Sequence, residues 1–166
     1  MNNFIIKINR FLVLATLFLI VQGCASLGPV YQAESVAVPS DKSLVYIYRP
    51  NKFTGSGITY YVYADEKIAT KLYNGGYFPY ISEPGNVKFW AKTESKSSVQ
   101  LELKPGNTYY LKGGVQMGVM VGRPNLERIP ENVALSEIEQ SKLIPDKDWA
   151  KEKIENEKKR KKLLGL

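Results

Sequence analysis

The sequence predicts an all-β domain, an antiparallel β-sandwich with a helical appendage at its C-terminus. Short runs rich in valine, isoleucine and tyrosine alternate with turn sequences between residues 44 and 121, and helical patterning appears only after residue 130. Pro84-Gly85 and Pro105-Gly106 each stand between two such runs. Proline presets the first dihedral of a turn and glycine supplies the positive φ that follows, so both dipeptides predict turns between strands.

Seven or eight strands can be placed in order, since each run has good strand formers and stops at a polar or glycine-containing turn. The runs are residues 44–49, 58–63, 67–73, 77–81, 87–93, 99–103, 108–112 and 115–121. One helix is predicted at residues 130–142, and a lysine- and glutamate-rich stretch follows from Pro145 to Leu166. A helix after a set of strands is expected to cover an edge or a face of a sheet.

The N-terminus has the pattern of a secretory signal. Residues 1–10 carry Lys7 and Arg10 and no acid, and residues 11–21 are uncharged. A basic region, a short apolar region and a small residue before the cleavage point are typical of such signals. Eleven residues of helix span about 16 Å, too short for a hydrocarbon core of about 30 Å. We therefore expect a cleaved signal and not a membrane span.

The signal ends in Val21-Gln22-Gly23-Cys24, which resembles a bacterial lipobox, although Gln22 replaces the usual small residue. The resemblance implies a lipid-modified, palmitate-carrying Cys24 as the first mature residue; the alternative is an ordinary signal peptide beside an unrelated cysteine. Ala25 is not the aspartate that retains some lipoproteins at the inner membrane. By analogy with enteric sorting we expect the periplasmic face of the outer membrane, with the inner membrane as the alternative.

Four segments are expected on this basis. They are a signal at residues 1–23, a tether at 24–43, a sandwich domain at 44–143 and a basic helical tail at 144–166. The net charge of +7 falls to +5 without Lys7 and Arg10, and residues 151–162, with seven basic and three acidic side chains, hold +4 of that. The body is thus near neutral, which argues against nucleic-acid binding.

The basic run in the tail consists of Lys158, Lys159, Arg160, Lys161 and Lys162. It is either a solvated chain end or a contact for anionic lipid headgroups, lipopolysaccharide phosphates or acidic wall polymers.

The composition leaves little for catalysis. The chain has no histidine and one cysteine, so the usual general base and the commonest metal ligand are missing, and no cofactor or metal is expected. A serine–lysine pair is conceivable within Ser95-Lys96-Ser97-Ser98, and a carboxylate pair among Asp65, Glu66, Glu83 and Glu94. Both sets lie in predicted turns, where charge is expected for solubility. We therefore expect no enzyme activity.

Two other features are open to a structural or a functional interpretation. In residues 113–122, strand periodicity places Val115, Met117, Val119 and Val121 on one face and Gly114, Gln116, Gly118, Met120 and Gly122 on the other. We expect the helix at residues 130–142 to cover this bare face; a ligand, a partner strand or solvent are the alternatives. The 11 tyrosines are good strand formers, and an outward row of them would suit stacking on sugars or packing against a partner.

The order of several short motifs resembles the bacterial lipoproteins that share a domain of unknown function, DUF2846. The motifs are Leu44-Val-Tyr-Ile-Tyr-Arg-Pro50, Asn74-Gly-Gly-Tyr-Phe-Pro-Tyr80, Glu83-Pro-Gly85, Ala91-Lys-Thr93, Pro105-Gly-Asn-Thr-Tyr-Tyr110 and Gly122-Arg-Pro124. The resemblance covers roughly residues 44–143. It implies an immunoglobulin-like or prealbumin-like sandwich and no known activity.

The function expected from the sequence is a non-catalytic structural or protein-interaction module of the envelope, bound to its partner at a sheet edge or a tyrosine face. A glycan- or peptidoglycan-binding module is the alternative, and a hydrolase a third. An open strand edge or a flat apolar patch would favour the first, a groove lined by coplanar tyrosines the second, and a deep pocket with two carboxylates the third.

Overall fold

The computed structural model describes residues 27–32, 36–118 and 122–164. The first half of the domain consists of β1 (Ser43–Arg49), β2 (Tyr60–Ala64), β3 (Lys67–Leu72), β4 (Gly76–Ser82), β5 (Gly85–Lys92) and β6 (Lys96–Leu103). The second half consists of β7 (Thr108–Gln116), β8 (Arg123–Ile129), α1 (Glu131–Ile138), β9 (Lys142–Leu143) and α2 (Trp149–Leu163). The predicted signal and Cys24 lie outside the described residues.

The strands form two sheets that pack face to face. One is five-stranded, in the order β8-β7-β1-β4-β9, and the other is four-stranded, in the order β3-β2-β5-β6. Neighbouring strands are antiparallel except for the pairs β1–β7 and β4–β9, which are parallel. Alternate residues such as Val45, Ile47, Phe89 and Leu111 point between the sheets and are fully buried. The predicted all-β sandwich with C-terminal helices is confirmed.

The turn chemistry of the two Pro-Gly dipeptides is also as predicted. Gly85 has a φ of 130° and Gly106 a φ of 71°, both in the region that side chains disfavour. Gly85 opens β5 directly after β4, and Gly106 lies between β6 and β7.

The predicted strand at residues 115–121 is wrong. β7 runs without a break from Thr108 to Gln116, and Met117, expected on a core face, is 75% exposed. Residues 119–121 lie outside the described part of the chain. β8 was not predicted, because its sequence contains Pro124 and three charged residues, which are not typical of a strand. A proline is tolerated there because β8 is the edge strand of its sheet.

The helix predicted at residues 130–142 is α1, which ends at Ile138, because Lys142 and Leu143 pair with β4 instead. The helix lies on the expected face of the five-stranded sheet, where Ala134 and Ile138 are buried among tyrosines. It does not cover the glycine face as predicted. A side chain built at Gly114 would meet within 4 Å only the Cβ of Asn125 among the described residues.

The segment predicted as a free tether also differs in its described part. The amide of Gly28 donates to the carbonyl of Leu143 at 2.7 Å, and that of Tyr31 to the carbonyl of Ser141 at 2.8 Å. Tyr31, Val36 and Val38 pack against the cluster beneath α1. These described residues therefore pack against the end of the domain, with contacts that the sequence, which has no period here, does not indicate.

Candidate functional site

The outer face of the four-stranded sheet combines aromatic rings with lysines. On β2, Val62 and Ala64 point into the core, so Tyr61 and Tyr63 point outward and are half-buried. On β5, the buried Phe89 and Ala91 likewise alternate with outward residues. Those are Lys88, Trp90 and Lys92. This aromatic–lysine face is the candidate functional surface.

Its centre is a stack of two rings capped by two lysines. Tyr63 and Trp90 are direct cross-strand partners, and their rings lie parallel with centroids 3.9 Å apart. The ammonium of Lys96 lies 4.6 Å from the Trp90 ring, and that of Lys153 lies 5.6 Å from the Tyr63 ring. The Trp90 indole donates to the carbonyl of Asp65 at 2.7 Å, which fixes the ring. Both rings are therefore positioned by contacts within the domain.

A second group of rings surrounds Lys71 at the β3 side of the face. Its ammonium lies 5.6 Å from the ring centroids of Tyr61 and Tyr73 and donates to Glu152 at 2.8 Å. Burial alone would lower the pKa of Lys71, but the Glu152 carboxylate and the neighbouring tyrosines outweigh it and the pKa is raised. The side chain therefore stays cationic.

Helix α2 joins this face through its first turns. Asp148 caps it by accepting from the amide of Lys151 at 2.9 Å, and Trp149 is buried in the core. Lys153 donates to the hydroxyl of Tyr63 at 3.0 Å, and this bond, the largest influence, raises the Lys153 pKa. The basic residues of the sequence-predicted run, Lys158, Lys159, Arg160, Lys161 and Lys162, follow on the same helix and are exposed.

A groove of about 820 Å³ opens beside α2, where β3 and β4 form the open side of the sandwich. Both strands are poor sites for an added strand. β3 has a register shift at its pairing with β2, and β4 carries Pro79, which lacks an amide proton, beside the short β9. β6 and β8 lie side by side, with the Leu126 amide bonded to Ser97. The described sheet edges therefore disfavour pairing with another chain.

The tyrosines of the five-stranded sheet are internal. Tyr46, Tyr48, Tyr77 and Tyr110 form one buried cluster beneath α1. Tyr31 packs on it, 5.3 Å from the ring centroids of Tyr46 and Tyr77. Burial raises the pKa of Tyr31 and of Tyr46 to about 12, so both hydroxyls stay neutral. These rings are a core and offer no outward row.

Three of the four predicted carboxylates border one depression of about 540 Å³, namely Asp65, Glu66 and Glu83. Asp65 accepts from the Lys88 amide at 3.0 Å, and Glu83 is paired with Lys42 while its side chain stays 77% exposed. Glu94 lies apart, 3.6 Å from Arg123. These are solvated turn charges, which differ from the desolvated pair that acid–base catalysis needs.

The serine–lysine candidates do not form a dyad. Ser97 accepts a hydrogen bond from the Leu126 amide at 2.9 Å, and Lys96 is directed at Trp90. Neither Ser95 nor Ser98 has a bond to Lys96 among the described contacts. Within the described residues no group of three or more Cys, Asp or Glu side chains is placed to hold a metal ion. No helix in the described part of the chain is both long and apolar enough to span a membrane.

The described residues form a small two-sheet domain whose four-stranded sheet carries the aromatic–lysine face. Comparison with protein families identifies it further: residues 39–123, just over half of the chain, match the protein family of unknown function DUF2846. The chain belongs to this family. No curated protein and no solved structure shows significant similarity to it.

The aromatic–lysine face was not predicted from the sequence, although tyrosines were placed in the strands. The signal was present in residues 87–92, where lysine, tryptophan and lysine alternate with apolar residues. The position of Lys153 on this face could not be read from the sequence, because it depends on how α2 docks.

Proposed function

We propose that this protein is a lipid-anchored lipoprotein of the bacterial envelope whose domain is a non-catalytic interaction module. Its binding surface is the aromatic–lysine face of the four-stranded sheet. The observation that carries the proposal is the Tyr63–Trp90 stack between Lys96 and Lys153. Tyrosine and tryptophan side chains are enriched at the centres of protein-binding surfaces, where a polar rim surrounds them.

The partner we propose is a protein with an acidic surface. Lys88 and Lys92 are exposed, and the register places Lys92 opposite Lys96. Like charges side by side repel each other in the free protein. An acidic partner relieves that repulsion and gains charge-assisted hydrogen bonds, which favours it over a neutral one.

The same geometry disfavours the alternative of a glycan- or peptidoglycan-binding module. Sugar stacking needs an open ring face, and here Trp90 faces Tyr63 on one side and Lys96 on the other. The glycan module is therefore the second candidate, distinguished by the experiment below.

The experiment places a photo-crosslinking amino acid at Lys92 in cells that express the full chain. We expect an adduct of discrete mass that is protease-sensitive and resistant to wall hydrolases. Adding Lys88→Glu should reduce it severalfold, since like charges then face the partner. The matched control is a crosslinker at Glu139, exposed at the end of α1 on the other sheet.

Equal adducts at both positions, or no effect of Lys88→Glu, would refute the face assignment. An adduct that wall hydrolases release would show that the partner is a glycan and not a protein.

The anchor is tested separately. Cys24→Ser should abolish palmitate incorporation and processing of the signal, because the thiol that carries the lipid is gone. Unchanged incorporation would disprove lipidation at Cys24. Fractionation of wild-type membranes should recover the protein with the outer membrane, and recovery with inner-membrane vesicles alone would contradict the proposed location.

The exposed end of α2 is a second proposed contact, with anionic lipid headgroups or acidic wall polymers. A lysine or arginine near an anionic membrane contributes about 1 kcal/mol, and five follow one another here. Leu163 and Leu164, 87% and 65% exposed, adjoin them at the tip. Glutamine at all five positions should abolish sedimentation with vesicles containing phosphatidylglycerol and leave the crosslink at Lys92 intact.

A further inference from the structure

Arg49 is a buried cation without a carboxylate partner. It ends β1 with 2% of its surface exposed, and its guanidinium donates to the carbonyls of Ile58 at 2.6 Å and Gly55 at 2.7 Å. Among the described residues no carboxylate forms an ion pair with it. A buried charge in this state costs several kcal/mol unless an opposite charge compensates it.

A small cavity adjoins this guanidinium. It has a volume of about 180 Å³ and lies where β1 has ended while β7 continues. Two further cations, Lys52 and Lys112, line it, together with the polar side chains of Thr54 and Asn125. Glu127 also lines it, 3.9 Å from the Lys112 ammonium, and Lys112 is paired more closely with Glu137. Three cations and one carboxylate line the cavity, and Glu137 pairs with Lys112 from outside this lining, which leaves an excess of one positive charge.

One glycine of the bare glycine face, Gly114, belongs to the lining of this cavity. A side chain there would have only the Cβ of Asn125, at 3.8 Å, as a described neighbour. The carbonyl of Gly114 accepts from the hydroxyl of Tyr60 at 2.9 Å, which holds the strand in place. A cavity that is lined by several cations and has free space beside a glycine is the arrangement expected of a ligand site.

We propose that this cavity binds a small oxyanion, a carboxylate or phosphate group, held by Arg49 and Lys52 beside Gly114. A planar guanidinium with unused donors suits both groups. The volume suits one such group and excludes a large ligand. This site is separate from the aromatic–lysine face, so its test does not depend on the proposed function.

The test uses the purified full chain and two probes, inorganic phosphate and acetate, with ionic strength held constant by chloride. We expect at least one probe to raise Tm and to give saturable binding by calorimetry. Gly114→Leu should fill the cavity and abolish both effects. The control is Gly57→Leu. Like Gly114, Gly57 has no positive φ, and an added Cβ would meet no described atom within 4 Å. Gly57 lies outside the cavity lining.

Lys52→Gln provides a second variant on an exposed residue that should fold normally. Loss of one charged contact should weaken binding about tenfold. A response to phosphate alone assigns a phosphate group, and a response to acetate alone a carboxylate. Equal stabilisation by chloride, full binding by Gly114→Leu and Lys52→Gln, or equal loss in Gly57→Leu would each overturn the site.

Discussion

The outer faces of both sheets carry aromatic residues. These residues are buried on one face and remain partly exposed on the other. On the five-stranded sheet, Tyr46, Tyr48, Tyr77 and Tyr110 lie under α1 and are almost fully buried. On the four-stranded sheet, Tyr63 and Trp90 remain half-buried among lysines. A tyrosine in a strand is thus no indication of function by itself. Whether a second layer covers its face decides the role.

The charges differ in the same way. Beneath α1 two tyrosine hydroxyls donate to carboxylates, Tyr48 to Glu137 at 2.8 Å and Tyr110 to Glu131 at 3.3 Å. Burial and that carboxylate raise the pKa of Tyr48. On the other sheet the rings meet ammonium groups. The first face is therefore internally neutralised, and the second presents excess positive charge to a partner.

The largest expected effect tests the covered face. Ile138→Ala should lower the free energy of unfolding by about 2–5 kcal/mol, because the fully buried side chain leaves a cavity between α1 and the tyrosines. Denaturant melts of the purified chain measure this. Leu135→Ala is the control on the same helix and should cost less than about 1 kcal/mol, since Leu135 is 38% exposed. Equal losses would mean that α1 does not form this layer.

The next effect concerns Glu137, which links the helix to the sheet. Burial alone would raise its pKa, but hydrogen bonds from Lys112 and Tyr48 outweigh burial and lower it. A carboxyl whose folded pKa is depressed stabilises the fold above its unfolded pKa of about 4.3. That stability is lost as the pH falls from there through the folded pKa.

Glu137→Gln should therefore cost about 1–3 kcal/mol at pH 7 and progressively less as the pH falls through the folded pKa, since the wild-type carboxyl then also becomes neutral. Denaturant midpoints at neutral pH and at a pH below the folded pKa measure the difference. Glu139→Gln, on an exposed residue at the helix end, should change neither midpoint. A pH-independent loss in Glu137→Gln would show that the carboxylate charge contributes nothing.

The sequence predicted elements whose signals are local. β1 follows from a run of β-branched and aromatic residues, β5 and β6 from alternation, and the turns at Gly85 and Gly106 from turn chemistry. It failed where tertiary pairing overrides local preference. β8 contains Pro124 and forms only as an edge strand beside β7, and residues 27–31 gain order from Ser141 and Leu143. For the site, the two-residue period of the strands could predict that these aromatic side chains point outward. The hydrogen bond from Lys153 to Tyr63 could not be predicted, because it depends on how α2 packs on the sheet.

The smallest effect tests whether the exposed face is a preformed unit. Tyr63→Ala, Trp90→Ala and the double variant make a thermodynamic cycle, and we expect a coupling energy of about 0.5–1.5 kcal/mol, the value for stacked aromatic pairs. Urea melts of the four proteins measure it. A matched cycle of Tyr61→Ala with Trp90→Ala should give a coupling energy near zero, since Tyr61 is paired with Lys71 and not with Trp90.

If this face binds a partner, the Trp90→Ala variant should also lose the Lys92 crosslink while the domain stays folded. Coupling near zero for Tyr63 with Trp90 would mean that the rings stack without holding each other, and the difference between the two sheet faces would then reduce to charge alone.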